Sequence, residues 1–271
     1  MVRTDCVALL VLLAVIIFSW TIAAFQAYEI DPRALGRGTA YTAVADGPLA
    51  PLWNPGGGTA APGVHGAFAA GISPGGTSTL LLGASIAAAN SPTVIWNMVQ
   101  SGGEGEILGT FAFPLFPQTR LGCGVSYRFS DTSGGISVGE ISFHVGFRHC
   151  GPQWAFGASL SHLGAGIFGA DLPLSLRAGG ALTTIPRIAL TVDLDLSSDG
   201  AKIAIGGSAQ VWVVEIRWGT AILLAGGIDR LGLGVGFTLF GLPIDLAIGV
   251  AGSDLSPHAS LGIEACIPAW W

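Results

Sequence analysis

Residues 186–197 read PRIALTVDLDLS. Ile188, Leu190, Val192, Leu194 and Leu196 alternate there with Arg187, Ala189, Thr191, Asp193 and Asp195. Successive side chains of an extended chain point to opposite faces, so one face is wholly apolar and the other carries charge. At a period of 3.6 residues the two aspartates and the leucines would share a face, which excludes a helix. The fold therefore turns on what the apolar face touches.

The same alternation recurs along the chain. Trp154, Phe156, Ala158 and Leu160 share a face, as do Leu231, Leu233, Val235, Phe237 and Leu239, and Ile244, Leu246, Ile248 and Val250. Ser159, Arg177, Thr238, Asp245, Gly234 and Gly249 stand on the opposite faces. Thirteen strands are predicted between Val64 and Ile267, with tight reversals at Cys150-Gly151-Pro152, Asp199-Gly200 and Phe240-Gly241-Leu242. Trp212-Val213 is the joint without a good turn former. A helical membrane bundle through Ala201–Ile228 fails because Glu215 and Arg217 interrupt it at a period of two.

Of the 271 residues 51% are apolar and only 10% charged, and 42 are glycine, against roughly 25% charged and 7% glycine in a soluble domain. Such a chain cannot cover a water-facing surface with charge. An inside-out arrangement resolves this, with the bulky face in lipid and the small or ionic face in a lumen. The expected fold is all-β, a transmembrane antiparallel up-and-down barrel of about 12–14 strands, whose closure leaves no unpaired edge in hydrocarbon. Strands of about 9–11 residues suit a tilted span. Trp96, Trp154, Trp212, Trp218, Trp270 and Trp271 are expected at the interfacial belts. A net charge of −6 argues against a nucleic-acid partner, which would want basic stripes.

Residues 1–23 read as a signal peptide, with Arg3, an apolar run from Val7 to Trp20, and small residues at Thr21 and Ala23. Residues 24–63 have no sustained period and are rich in small residues and turn formers. A helical turn is expected at Ala40–Ala45. Residues 64–271 are assigned to the barrel.

Within that coil, Leu35, Gly36, Gly38, Ala45, Asp46, Trp53, Asn54 and Pro55 form a pattern that resembles the superfamily of outer-membrane barrels containing the long-chain fatty acid transporter, PorV and UPF0164 proteins. Leu172–Ile267 is similar to the last third of the PorV and UPF0164 proteins. The resemblance implies that residues 24–63 enter the lumen as a plug, and that the protein sits in the outer membrane of a diderm bacterium. It also implies insertion by the barrel-assembly machinery, with Trp271 as a candidate end signal. The function implied is passive transport of hydrophobic, fatty-acid-like molecules through a lateral gap beside a kinked strand, with Pro114 a candidate kink. The alternative is a PorV-type barrel that assists secretion or surface attachment of proteins.

The lumen-facing charged candidates are Arg128, His144, Arg148, Arg177, Arg187, Asp193, Asp195, Glu215, Arg217, Asp245 and Glu264. They are expected to brace barrel and plug, and Asp46 is expected to pair with an arginine of the lumen wall. No nucleophile elbow, phosphate loop or metal-ligand spacing stands out, and the histidines are scattered. No catalytic residue, metal or cofactor is expected.

Overall fold

The computed structural model describes residues 30–58, 61–72, 78–88, 91–132, 135–136, 139–164, 174–197, 200–252 and 256–268. The proposed signal peptide, residues 24–29 of the plug, Trp270 and Trp271 lie outside them.

Alternating side chains become alternating burial. In β10 (Ile188–Ser197), Leu190, Val192, Leu194 and Leu196 are exposed on the outside, whereas Thr191 and Asp193 are buried within. The other strands are β1 (Gly63–Ile72), β2 (Ser78–Ala87), β3 (Thr93–Ser101), β4 (Glu104–Phe116), β5 (Thr119–Thr132), β6 (Gly135–Ile136), β7 (Glu140–Cys150), β8 (Trp154–Leu163) and β9 (Ser175–Leu182). They continue as β11 (Gly200–Val211), β12 (Val214–Leu223), β13 (Ile228–Leu239), β14 (Leu242–Ala251) and β15 (Ser256–Pro268). Fourteen of them form one closed antiparallel wall in sequence order, sealed where β1 pairs with β15. The two-residue β6 pairs only with the end of β5.

The outer face is suited to hydrocarbon. Trp96, Phe111, Phe143, Phe156, Leu190 and Ile248 are between 41% and 62% exposed on it, where a water-soluble protein would carry ions. One end of the wall holds Gly63, Pro268 and the turns at 117–118, 151–153, 183–187, 212–213 and 240–241; we call it the turn end, and the opposite end the loop end.

The structure corrects several expectations. β3 was not among the thirteen expected strands. It is hidden because Ile95 and Val99 stand among Thr93, Asn97 and Ser101 on the inward face, which weakens the contrast with Val94 and Trp96 outside. β10 starts at Ile188, which leaves Arg187 exposed in the preceding turn, at φ 68°, rather than lining the lumen. Trp212-Val213 is itself a two-residue turn between Val211 and Val214, made by Trp212 at φ 57°. Trp96 and Trp218 lie in the middle of β3 and β12 rather than at strand ends. Residues 40–45 form hydrogen-bonded turns, not a helix. The helix is instead α1 (Pro32–Gly36), where Asp31 caps the Arg33 amide and Pro32 occupies the first turn.

Candidate functional site: the plug and its seat

Residues 30–58 fill the lumen, and each of their sides meets a different kind of wall. On one side, α1 presents its arginines to the carboxylates of β12, β14 and β15. Arg33 Nε donates to Asp245 at 2.9 Å and its Nη2 to Glu264 at 2.7 Å, while Nη1 reaches Asp46 at 3.3 Å. Arg37 donates to Glu215 at 2.7 Å and to the Ser208 hydroxyl at 3.3 Å. Arg217 on the wall links Asp245 to Glu215. The result is a chain of alternating sign, Asp46–Arg33–Asp245–Arg217–Glu215–Arg37, in which each inner charge touches two opposite ones. Buried ions need such pairing, because an uncompensated one is costly.

The turn after α1 docks on β10. One Asp193 oxygen accepts the backbone amides of Tyr41, at 2.9 Å, and Thr42, at 2.7 Å, so a wall carboxylate caps a plug turn. Next to it Arg177 pairs with Asp195 at 3.0 Å and lies over the Trp53 ring. Trp53 donates to Asp31 at 3.1 Å and meets Tyr41 edge-on.

The tip, Asn54-Pro55-Gly56, sits against β5, β7 and β8 by neutral contacts. Asn54 donates to the carbonyls of Thr42 and Phe147 and accepts the Gly56 amide. Arg148 donates to the Ala43 carbonyl at 3.0 Å. Here the wall has no side chains to spare. A methyl group on Gly122 would overlap the Pro55 carbonyl, and one on Gly146 would meet Asn54. These glycines face each other across β5 and β7, as Gly206, Gly219 and Gly232 do across β11–β13, where the backbone of Leu35 and Arg37 comes comparably close, and Gly249 of β14 faces the Leu35 side chain. Gly38 combines φ 58° with a close approach to Thr220, so no other residue fits there.

On the third side the contact is apolar. Ala69, Leu81, Val99 and Leu108 of β1–β4 point into the lumen and pack with Tyr41, Leu49, Leu52 and Trp53 of the plug. The Asn97 amide donates to the Pro48 carbonyl at 2.6 Å. Two cavities left between plug and wall, one beside Arg33 and one beside Arg177, offer about 20 and 30 Å³, a water or two each.

The motif residues Leu35, Gly36, Gly38, Ala45, Asp46, Trp53, Asn54 and Pro55 thus all lie in this knot. Of the charged candidates, Arg148, Arg177, Asp193, Asp195, Glu215, Arg217, Asp245 and Glu264 surround it. Arg128 pairs with Glu104 at 2.6 Å and His144 lies with Glu106 nearer the loop end, away from the plug's ion chain. Asp46 pairs with the plug's own Arg33 and with the Tyr41 hydroxyl at 3.0 Å, not with an arginine of the wall. Sequence reasoning missed Arg33, Arg37, Asp31 and Glu106. The Asp31-Pro32 pair was the signal for α1 and hence for its arginines. Burial pushes the Asp31 carboxyl up to about 6, against the pull of Arg33. At Asp46 desolvation by the crowded lumen also pushes upward although the side chain is largely open, but Arg33, Arg148, Arg37 and the Tyr41 hydroxyl outweigh it and hold the group below the usual value.

No family model and no curated protein matches the chain. Among solved structures it is similar to the Pseudomonas putida toluene transporter TodX, with a TM-score of 0.64 and 11% identity over 90% of this chain and 98% of that one. A deltaS2S3 mutant of TodX, described as a monoaromatic hydrocarbon channel, gives 0.61 and 11% over 86% and 97%. A bacterial polysaccharide outer membrane secretin gives 0.52 and 9% over 77% and 99%. At such identities the likeness is one of fold: a closed antiparallel barrel of the kind that outer-membrane channels use.

Proposed function

We propose that the protein is an outer-membrane barrel of a diderm bacterium, inserted by the barrel-assembly machinery, which lets hydrophobic, fatty-acid-like molecules cross passively. The observation that carries this reading is the seated plug. With residues 30–58 packed against β1–β4, β7, β10 and β12–β15, the lumen is no open aqueous pore, while the outer wall is largely apolar. A solute that enters from the loop end therefore has to leave sideways into lipid, which suits an apolar molecule. The wall has irregularities at which a lateral gap can open. Register shifts interrupt β4–β5 between Pro114 and Phe116, and β7–β8 between Phe143 and Val145, and Pro114 has no amide to give to the ladder. The fold of TodX, a toluene transporter by its description, supports the reading by analogy.

The test is uptake of radiolabelled oleate and toluene by cells that carry the protein or an empty vector, with a sugar as control. Faster uptake of the apolar solutes alone is expected. Uptake equal to the empty vector would overturn the proposal, and cross-linking to secreted proteins in those cells would favour the PorV-type role.

A further inference from the structure

We infer that Glu106, His144 and His162 form a binding site for a divalent transition-metal ion of the zinc class, in the lumen on the loop-end side of the plug tip. One ligand atom from each lies within 4.8 Å of the other two. Glu106 Oε1 is 4.0 Å from His144 Nε2, and the two imidazoles meet edge-on with centroids 5.3 Å apart. Glu106 and His144 are 1% and 4% exposed. Tetrahedral zinc, with bonds of about 2.0–2.1 Å, spaces its ligand atoms about 3.3 Å apart. Rotations of side chains alone can close the remaining distance. Two imidazoles and one carboxylate form a donor set that suits zinc, copper or nickel over magnesium or calcium, and they leave a fourth position for water or an anionic ligand.

A second observation, in the backbone, points to the same place. On β8 the residues Trp154 and Phe156 face outward, and strict alternation would send His162 out with them into lipid. Instead the register slips beside His144: Val145 pairs with Leu160, but Phe143 pairs with Leu163. The one extra residue forms a bulge, and His162 adopts φ 62°, a left-handed conformation that β-strand residues with side chains rarely hold. The bulge turns the imidazole inward to His144, and re-aiming one side chain is what strand bulges near functional sites do. The three ligands come from β4, β7 and β8, strands that are not all adjacent, so one ion would tie them together above the plug.

The competing description is an ordinary polar lining. His144 Nε2 contacts the hydroxyls of Ser126 at 2.9 Å and Ser142 at 3.2 Å. A metal ion would displace those contacts, and the two hydroxyls would keep their own 2.8 Å bond. His162→Gly separates the two descriptions, because glycine relaxes the left-handed backbone while it deletes the ligand.

The experiment uses the full barrel without a polyhistidine tag, folded in detergent and stripped with a chelator. Cobalt(II) is titrated and followed by its visible d–d absorption, and zinc(II) is measured by competition with a chromophoric chelator. One ion per chain is expected. Affinity should fall by about tenfold or more in His162→Gly and in Glu106→Gln, with both variants keeping the heat-dependent electrophoretic shift of a folded barrel. His65→Ala, at the lumenal histidine beside Cys266, should bind like the wild type. Absence of saturable binding at one ion per chain, or equal affinity in folded His162→Gly, would overturn the inference.

Discussion

The wall of β1–β4 and the wall of β9–β15 hold the same plug by opposite physics. The first shows it Ala69, Leu81, Val99 and Leu108; the second shows it Asp193, Arg217, Asp245 and Glu264. The plug matches them with Leu49, Leu52 and Trp53 on one side and Arg33 and Arg37 on the other. An amphipathic insert in a two-faced lumen has one good orientation, because rotation would bring buried ions against leucines. Affinity and orientation are thus divided between the two walls: burial of apolar area is indifferent to direction, whereas ion pairs are not.

The comparison breaks most sharply at Arg217, which is 4% exposed. Arg217→Ala leaves Asp245 and Glu215 without one shared cation and should cost about 3–5 kcal/mol of unfolding free energy in detergent. A loss below about 1 kcal/mol would mean that the ion chain does not hold the plug. On the apolar wall, Leu81→Ala should cost about 2–5 kcal/mol by leaving a cavity against the plug. Salt sharpens the contrast. Between about 0.1 and 1 M the screening length falls from about 10 to 3 Å, so the partly exposed pairs of the ionic wall should weaken while the Leu81 contribution stays constant.

Asp31 should give a smaller, pH-dependent effect. Its carboxyl titrates at about 6 in the folded protein against a usual 3.8. The folded state therefore holds a proton that the unfolded chain has released. The stabilisation from that proton is complete below pH 3.8 and is lost as the pH rises through 6. The stability difference between wild type and Asp31→Asn should fall across that window, by up to about 1.4 kcal/mol per pH unit, and flatten above it; a difference constant from pH 4 to 7 contradicts this. Asp46→Asn should matter least. Its side chain is 60% exposed, and Arg33 keeps Asp245 and Glu264. A stability change under about 1 kcal/mol is expected from equilibrium unfolding.

The two walls also differ in how far the sequence announces them. On β10, lipid outside and ions inside give leucine against aspartate, so strand, facing and closure can be read directly. On β3 the inward face mixes Ile95 and Val99, which meet an apolar side of the plug, with Thr93, Asn97 and Ser101, and the alternation is blurred although the strand is ordinary. The ends are hard to read for a related reason: Arg187 has the parity of Asp193 but falls beyond the last ladder pair. The plug motif marks the residues in the knot, yet it does not tell that Asp46 finds Arg33 rather than the wall, since that contact is set by how the coil folds on itself. That His162 meets His144 is not legible either, because the bulge that brings them together has no mark in the sequence.

Finally, the seam between β1 and β15 joins the first strand of the wall to the last. The insert precedes both in the chain and leads directly into β1. The insert and the first strand thus share one short connection at the turn end, so whatever pulls on residues 30–58 also pulls on the seam that shuts the cylinder.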